Sequence, residues 1–299
     1  MAMRVAVCIG DAAGTMALRR EGGAMGHGRE RPGWRSLARW LTVLGVLTAG
    51  SVDAADRVEL GAFEYPPIYQ DTSGPDKGLA IDLALAAFQA ANVEVDLRFY
   101  PVARMIHYLE TGAVTCAIGG QVLYEDPAVA ANVRVGSVIL YVLQTFFYDR
   151  RRFSDGFADI SPDRLRGVSI GALNSSGIMR TLQRMPGLKL IPNTSHEGSA
   201  RQLAAGRIDL WAIVDLTGQH FLTTLFPEEV GAYARTAPFN RGDVSLTCSR
   251  TRDADGFYAG KFAEGLALIK KNGSFRRIMA KYYGGAQRIP SEALPADMR

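Results

Sequence analysis

Twice along this 299-residue sequence the same order recurs: strand, helix, strand, helix, strand, with glycine or proline at most of the breaks. The first run opens with a strand over 57–63 and a turn carrying Pro66-Pro67 and Gly74-Pro75. A helix follows over 79–91, with Leu79, Leu83, Ala86, Ala87 and Ala90 near one face. Strand 93–100 alternates Val93, Val95, Leu97 and Phe99 with polar neighbours. Helix 102–111 stops at Gly112, and a short apolar strand over 114–118 leads into Gly119-Gly120. A long β-rich apolar run covers 138–148. The second run places strands at 167–171, 188–191 and 208–214. Its helices fall at 176–185, 197–205 and 216–225, the first two stopped by Pro186-Gly187 and by Gly206. A strand-rich stretch over 232–248 and two helices, 253–271 and 274–283, complete the pattern. Strands joined by helices in this way form mainly parallel sheets covered on both faces. The fold class is therefore α/β. The repeated order predicts two lobes rather than one sheet. Residues 286–299 are polar and Pro-containing and read as a loosely held tail.

Residues ahead of the first strand read as an address. Arg29, Arg31, Arg35 and Arg39 precede the apolar stretch 40–49, and Val52-Asp53-Ala54 supplies a small-residue cleavage site. That order is the one of a secretory signal. The apolar stretch is about half the ~20 residues a spanning helix needs. Residues 1–54 are thus expected to be leader and signal peptide, cleaved after Ala54, with Met25 as an alternative start. No Cys lies near that site, which argues against a lipid anchor. A periplasmic location follows. The leader also explains the charge. Seven Arg and four acidic residues fall within 1–54 and leave only +1 of the formal +4 for the rest. With no basic stripe interleaved with aromatics, nucleic acid is not an expected partner. The run Arg150-Arg151-Arg152 reads as a solvated face.

Cys116 and Cys248 remain after the leader, each inside an apolar strand-like run. An exported pair is open to two readings, a disulfide or two buried thiols in neighbouring strands. The second is the preferred expectation. His107 and His196 have no CxxC or HxxxH partner, so neither a metal nor any other cofactor is expected.

Ligands of open α/β sheets bind beyond the carboxyl ends of the strands. That rule selects Glu64 and Tyr65 after the first strand, and Gly119, Gly120 and Gln121 after the third. In the second run it selects Asn174, Ser175 and Ser176, then Asp215. Tyr65 offers a flat apolar face with a polar tip. The glycines let backbone approach a ligand. Asn174-Ser175-Ser176 opens a helix, where free N–H groups favour an anion. Asp215 suits a ligand amine. Each also has a plainer reading: core packing for Tyr65, an N-cap for Ser175 or Ser176, a helix start for Asp215.

These residues carry a family resemblance. Tyr65-Pro66-Pro67, the helix start Gly78-Leu79-Ala80-Ile81-Asp82-Leu83, and Leu109-Glu110-Thr111-Gly112 fall in order. Gly206-Arg207-Ile208-Asp209 and Asn272-Gly273-Ser274-Phe275 follow. Over roughly 57–285 the sequence resembles extracellular solute-binding protein family 3, the amino-acid-type binding proteins of ABC importers. The resemblance implies a two-lobed type II periplasmic-binding-protein fold, each lobe a mainly parallel sheet flanked by helices. Two crossing strands, near 145–150 and 236–242, would form the hinge. Lobe one would comprise 57–147 plus 241–285, and lobe two 148–240. A small-molecule ligand, an amino acid or a derivative, would bind between them, and an inner-membrane ABC permease would receive it from a monomer. One departure stands out. The family's Thr-x-x-Arg carboxylate clamp is absent, and Gln121-Val122-Leu123-Tyr124 stands in its place. Arg104 is a candidate substitute, or else a surface helix residue.

Three functions compete. Uptake leads, and presentation of ligand to a membrane receptor or kinase is the alternative. A dehydratase-like enzyme, with Glu64 as general acid or base, ranks last, and no catalytic residue is assigned.

Overall fold

The structure, a computed structural model, describes residues 56–174 and 176–299, and the leader expected over 1–54 lies outside them. Among the described residues nine strands and eight α-helices follow in the order β1 (Asp56–Ala62), α1 (Leu79–Ala90), β2 (Val93–Phe99), α2 (Val102–Thr111), β3 (Cys116–Gly119), α3 (Pro127–Ala130), β4 (Val133–Asp149), β5 (Ser169–Leu173), α4 (Gly177–Gln183), β6 (Lys189–Asn193), α5 (His196–Ala204), β7 (Leu210–Val214), α6 (Asp215–Leu225), β8 (Tyr233–Arg235), β9 (Asn240–Ser249), α7 (Phe257–Lys271) and α8 (Ser274–Tyr283). Among the described residues no helix is long and apolar enough to cross a membrane.

The strands hydrogen-bond in the order β2-β1-β3-β9-β4-β7-β5-β6. Two parallel trios, β2-β1-β3 and β6-β5-β7, occupy the ends. Antiparallel β9 and β4 join them. β4 is the connecting device. Its 17 residues pair with β9 as far as Gln144, and from Gln144 to Phe147 they pair with β7. A side-chain bond from Asn240 Nδ2 to Gln144 Oε1 (3.1 Å) marks the changeover. The apolar run expected over 138–148 thus belongs to a longer strand shared by both halves of the sheet.

Side-chain alternation and helix periodicity build the core as the sequence suggests. Leu79, Leu83, Ala87 and Phe88 of α1 are fully buried, and Phe88 packs on Phe262 of α7 with centroids 5.0 Å apart. The two helices approach closely because Gly265 faces the Ala87 carbonyl, where a Cβ would overlap the oxygen. A smaller cluster around Trp211, Phe147 and Leu222 holds the second half together. Arg151 pairs with Asp149 (2.7 Å) and Glu229 (2.6 Å), and Arg152 with Asp209 (2.8 Å), so two members of the basic run are ion-paired.

Two expectations need correcting. Cys116 and Cys248 are not free thiols. They sit directly opposite in the antiparallel β3–β9 ladder, Cα atoms 3.9 Å apart, and are joined as a disulfide. The chain end is not loose either. Ala293 and Leu294 are buried in the main core, Lys270 pairs with Asp297 (3.0 Å), and Arg276 donates to the Met298 carbonyl. Two apolar residues among polar ones are enough to dock it.

Candidate functional site: a cavity at the strand ends

A cavity of about 700 Å³ opens where both halves of the sheet present the carboxyl ends of their strands. The segment after β1 contributes Phe63, Glu64, Tyr65, Pro66, Ile68 and Tyr69. It contains a cis Pro66–Pro67 peptide, and it is closed by hydrogen bonds between the Tyr65 and Tyr69 backbones. The turn after β3 adds Gly120, Val122 and Leu123, and β4 and β9 add Val142, Gln144, Gly242, Asp243 and Val244. From the second half come Leu173, Asn174, Ser176, Gly177, Ile178 and Arg180 around the start of α4. Thr194, Ser195, His196 and Glu197 enter with α5, Val214 with β7 and Phe221 with α6. The wall is therefore largely aliphatic and aromatic, with a few polar groups between.

The halves touch across the cavity. The Tyr65 ring meets His196 edge-on at 5.1 Å, and His196 leans on Phe221 at 5.8 Å. The Val122 side chain lies beside Gly177. These contacts account for the electrostatics. Burial raises the Tyr65 phenol well above its ordinary range, even though Thr217 and the Val214 backbone are near enough to oppose the shift. Burial likewise raises Tyr69. Burial lowers His196 to about 4, so its imidazole is neutral at pH 7, and among the described residues neither ring nitrogen has a hydrogen-bond partner. His220 is lowered by burial as well, with Glu64 near enough to oppose the shift.

Of the residues singled out in the sequence, Glu64, Tyr65, Gly120, Asn174 and Ser176 lie on the wall. Glu64 is exposed and accepts the Asp71 N–H at 2.8 Å. Ser176 is also the N-cap of α4, accepting from Met179 N–H at 3.0 Å. Ser175 is outside the described residues. The other four are off the wall. Gly119 lies behind it, against Leu123 and Phe63. Gln121 turns its backbone N–H to the Asp243 carboxylate (3.1 Å). Arg104 is exposed on α2. Asp215 begins α6, is 1% exposed and pairs with Arg235 at 3.2 Å. Burial raises its carboxyl, against the pull of Arg235.

The wall residues not foreseen include Asp243, Gln144, His196 and Phe221. Asp243 and Gln144 come from the connecting strands, which a rule about parallel strand ends does not cover. His196 is the first residue of a helix that follows a strand end, so the rule itself, applied to β6, would have found it. Cys116, Cys248 and Asp253 form a compact trio, but the disulfide removes both thiolates as metal ligands.

No protein-family model matches the sequence, and no curated protein matches it closely. Solved structures do. A histidine kinase sensor domain with similarity to periplasmic binding proteins superimposes with a TM-score of 0.60 at 20% identity, over 77% of this chain and 96% of its own. The fold is the two-lobed one of the periplasmic binding proteins. The substrate-binding protein of an amino acid ABC transporter shares it at a TM-score of 0.56 and 16% identity, covering 76% and 99% of the two chains. So does an ancestral amino acid-binding protein that is a precursor of cyclohexadienyl dehydratase, at 0.58 and 16%, covering 76% and 94%. The binding-protein fold agrees with the resemblance drawn from the sequence motifs. Both halves of the sheet contribute to the cavity wall.

Proposed function

We propose that this chain is an exported solute-binding protein of the family 3 type, which captures a small molecule between its lobes and hands it to an inner-membrane ABC importer. The observation that carries the reading is the position of the cavity. It lies between two parallel trios, takes wall residues from both, and is bordered by the strands that connect them. Lobe one is assigned to 57–147 plus 241–285 and lobe two to 148–240, with rotation about β4 and β9 opening and closing the cleft. The buried disulfide supports an oxidising compartment, as an exported protein would meet. Presentation of the closed form to a membrane receptor is the second reading, favoured by the sensor domain among the structural neighbours.

The test is a thermal-shift screen of amino acids, amines, opines, organic acids and sugars on protein freed of carried-over ligand by partial unfolding. A ligand at 100 times its Kd adds about 2.7 kcal/mol, a Tm rise of roughly 5–11 °C for a chain of this size. A rise for one chemical class, with that ligand recovered unchanged, supports capture. Conversion of the ligand would replace binding by catalysis. No rise across the screen would refute small-molecule capture.

A further inference from the structure

We infer that Asp243, on the connecting strand β9, is the seat of a positively charged group, and that the ligand is a small organic cation with an apolar body. The inference rests on the cavity being the ligand site and adds the chemistry of its occupant.

Three observations converge. The first is the state of the carboxylate. Asp243 is on the cavity wall, where it accepts the Gln121 N–H (3.1 and 3.3 Å) and the Ser245 hydroxyl (2.7 Å). Among the described residues no Lys, Arg or His nitrogen pairs with it. Two neutral donors hold the oxygens in place and leave the negative charge uncompensated. Such a charge next to an apolar cavity favours a cation.

The second is the aromatic lining. Phe63 and Tyr69 stand 4.7 Å apart, and Phe63 and Tyr65 6.5 Å apart, all three on the same wall. Tyr69 lies close enough to Asp243 for the carboxylate to oppose ionisation of its phenol. Ring faces attract cations and reject anions.

The third is the charge of the rest of the wall. Arg180 is the only Lys or Arg among its described residues, against Glu64, Glu197 and Asp243. Glu197 is committed to Arg201 at 2.8 Å. The rest of the wall is largely aliphatic and aromatic, with Gln144, Asn174, Ser176, Thr194, Ser195 and His196 between, so the body of the ligand is mainly apolar also.

The experiment uses the exported chain and nine probes. Phenylethyl, cyclohexylethyl and isobutyl bodies each carry an ammonium, a hydroxyl or a carboxylate terminus. Isothermal titration measures each against the wild type and against Asp243→Asn. The expected result is that, in at least one body series, the amine binds about tenfold or more tighter than its alcohol and carboxylate. Asp243→Asn should erase that preference, bringing the amine to within about twofold of its alcohol. An alcohol or carboxylate binding as tightly as its amine would overturn the inference and leave small-molecule capture standing. A preference for the amine that survives the substitution would overturn Asp243 as its seat. Silence of all nine probes would overturn this ligand class, whereas capture itself is judged by the broader screen. Thermal unfolding of the unliganded variant checks its fold, and the charge comparison in the wild-type chain does not depend on it.

Discussion

Reducing the Cys116–Cys248 bond is the perturbation with the most predictable size. The bridge spans a sequence separation of 132. Cross-linking a chain over that distance removes loop-closure entropy from the unfolded state, and the chain-entropy relation gives about 5 kcal/mol at 25 °C. Both cysteines are fully buried, in strands whose ladder hydrogen bonds do not depend on the bridge. The native state should therefore survive its loss, and the change should appear in the unfolded state. At roughly 2–4 °C per kcal/mol for a domain of this size, a Cys116→Ala/Cys248→Ala double variant should melt about 10–20 °C below the oxidised wild type. Circular dichroism melts of wild type and variant, each with and without reductant, measure this. Wild type treated with reductant while unfolded should match the variant, and the variant should ignore reductant. A drop under about 3 °C would refute the reasoning, because it would mean that the unfolded chain is already as restricted without the bridge as with it.

Other substitutions probe other links. Gly265→Ala places a Cβ against the Ala87 carbonyl and should cost about 2 kcal/mol, read as a lowered urea midpoint with an unchanged slope. His196 is buried neutral with its pKa pushed down to about 4, against an ordinary value of 6.5. As pH falls from 6.5 toward 4 the unfolded chain gains a proton that the native chain refuses, so this contribution is present above 6.5 and lost below it, by up to about 3 kcal/mol. Urea titrations from pH 7 to 4.5 should show a shallower loss in His196→Phe than in wild type; equal slopes would count against burial as the cause. Tyr65→Ala removes the ring that meets His196 across the cavity and should weaken ligand binding about tenfold, with a smaller effect on stability. Asp215→Asn, away from the wall, should leave ligand affinity within about twofold, since its partner is Arg235 rather than the cavity.

Much of the fold was legible because its elements are punctuated locally. Gly112 ends α2 in a left-handed conformation, and Asn272-Gly273 separates α7 from α8, so those breaks fell where the glycines put them. The length of β4 was not legible. Val133–Val135 are separated from the apolar core of the strand by Gly136 and a register shift, so no alternation runs through. The disulfide was ambiguous for a similar reason: which strand lies beside β3 is decided 132 residues away. At the site, the strand-end rule reached Tyr65, Gly120 and Asn174. It also reached Asp215, but there burial and Arg235 decide what the carboxylate meets, and neither shows in a local window. Asp243 escaped because it sits inside a strand, between residues that read as sheet.

The disulfide also divides β9 mechanically. At Cys248 the strand is joined covalently to β3, so in the proposed lobe rotation its distal end would move with β3. Near Asn240 and Gln144 it meets the changeover to β7, where the proposed rotation of the lobes would be absorbed. Asp243 lies between the weld and the swivel. On that proposal a ligand held there would sit near the axle with a short lever arm, whereas Tyr65 and His196, on segments outside the connecting strands, would act farther from it. Affinity at the axle and torque at the rim are then separable properties. Changes at Asp243 should alter which molecule is held, and changes at the Tyr65–His196 contact how firmly the lobes shut over it.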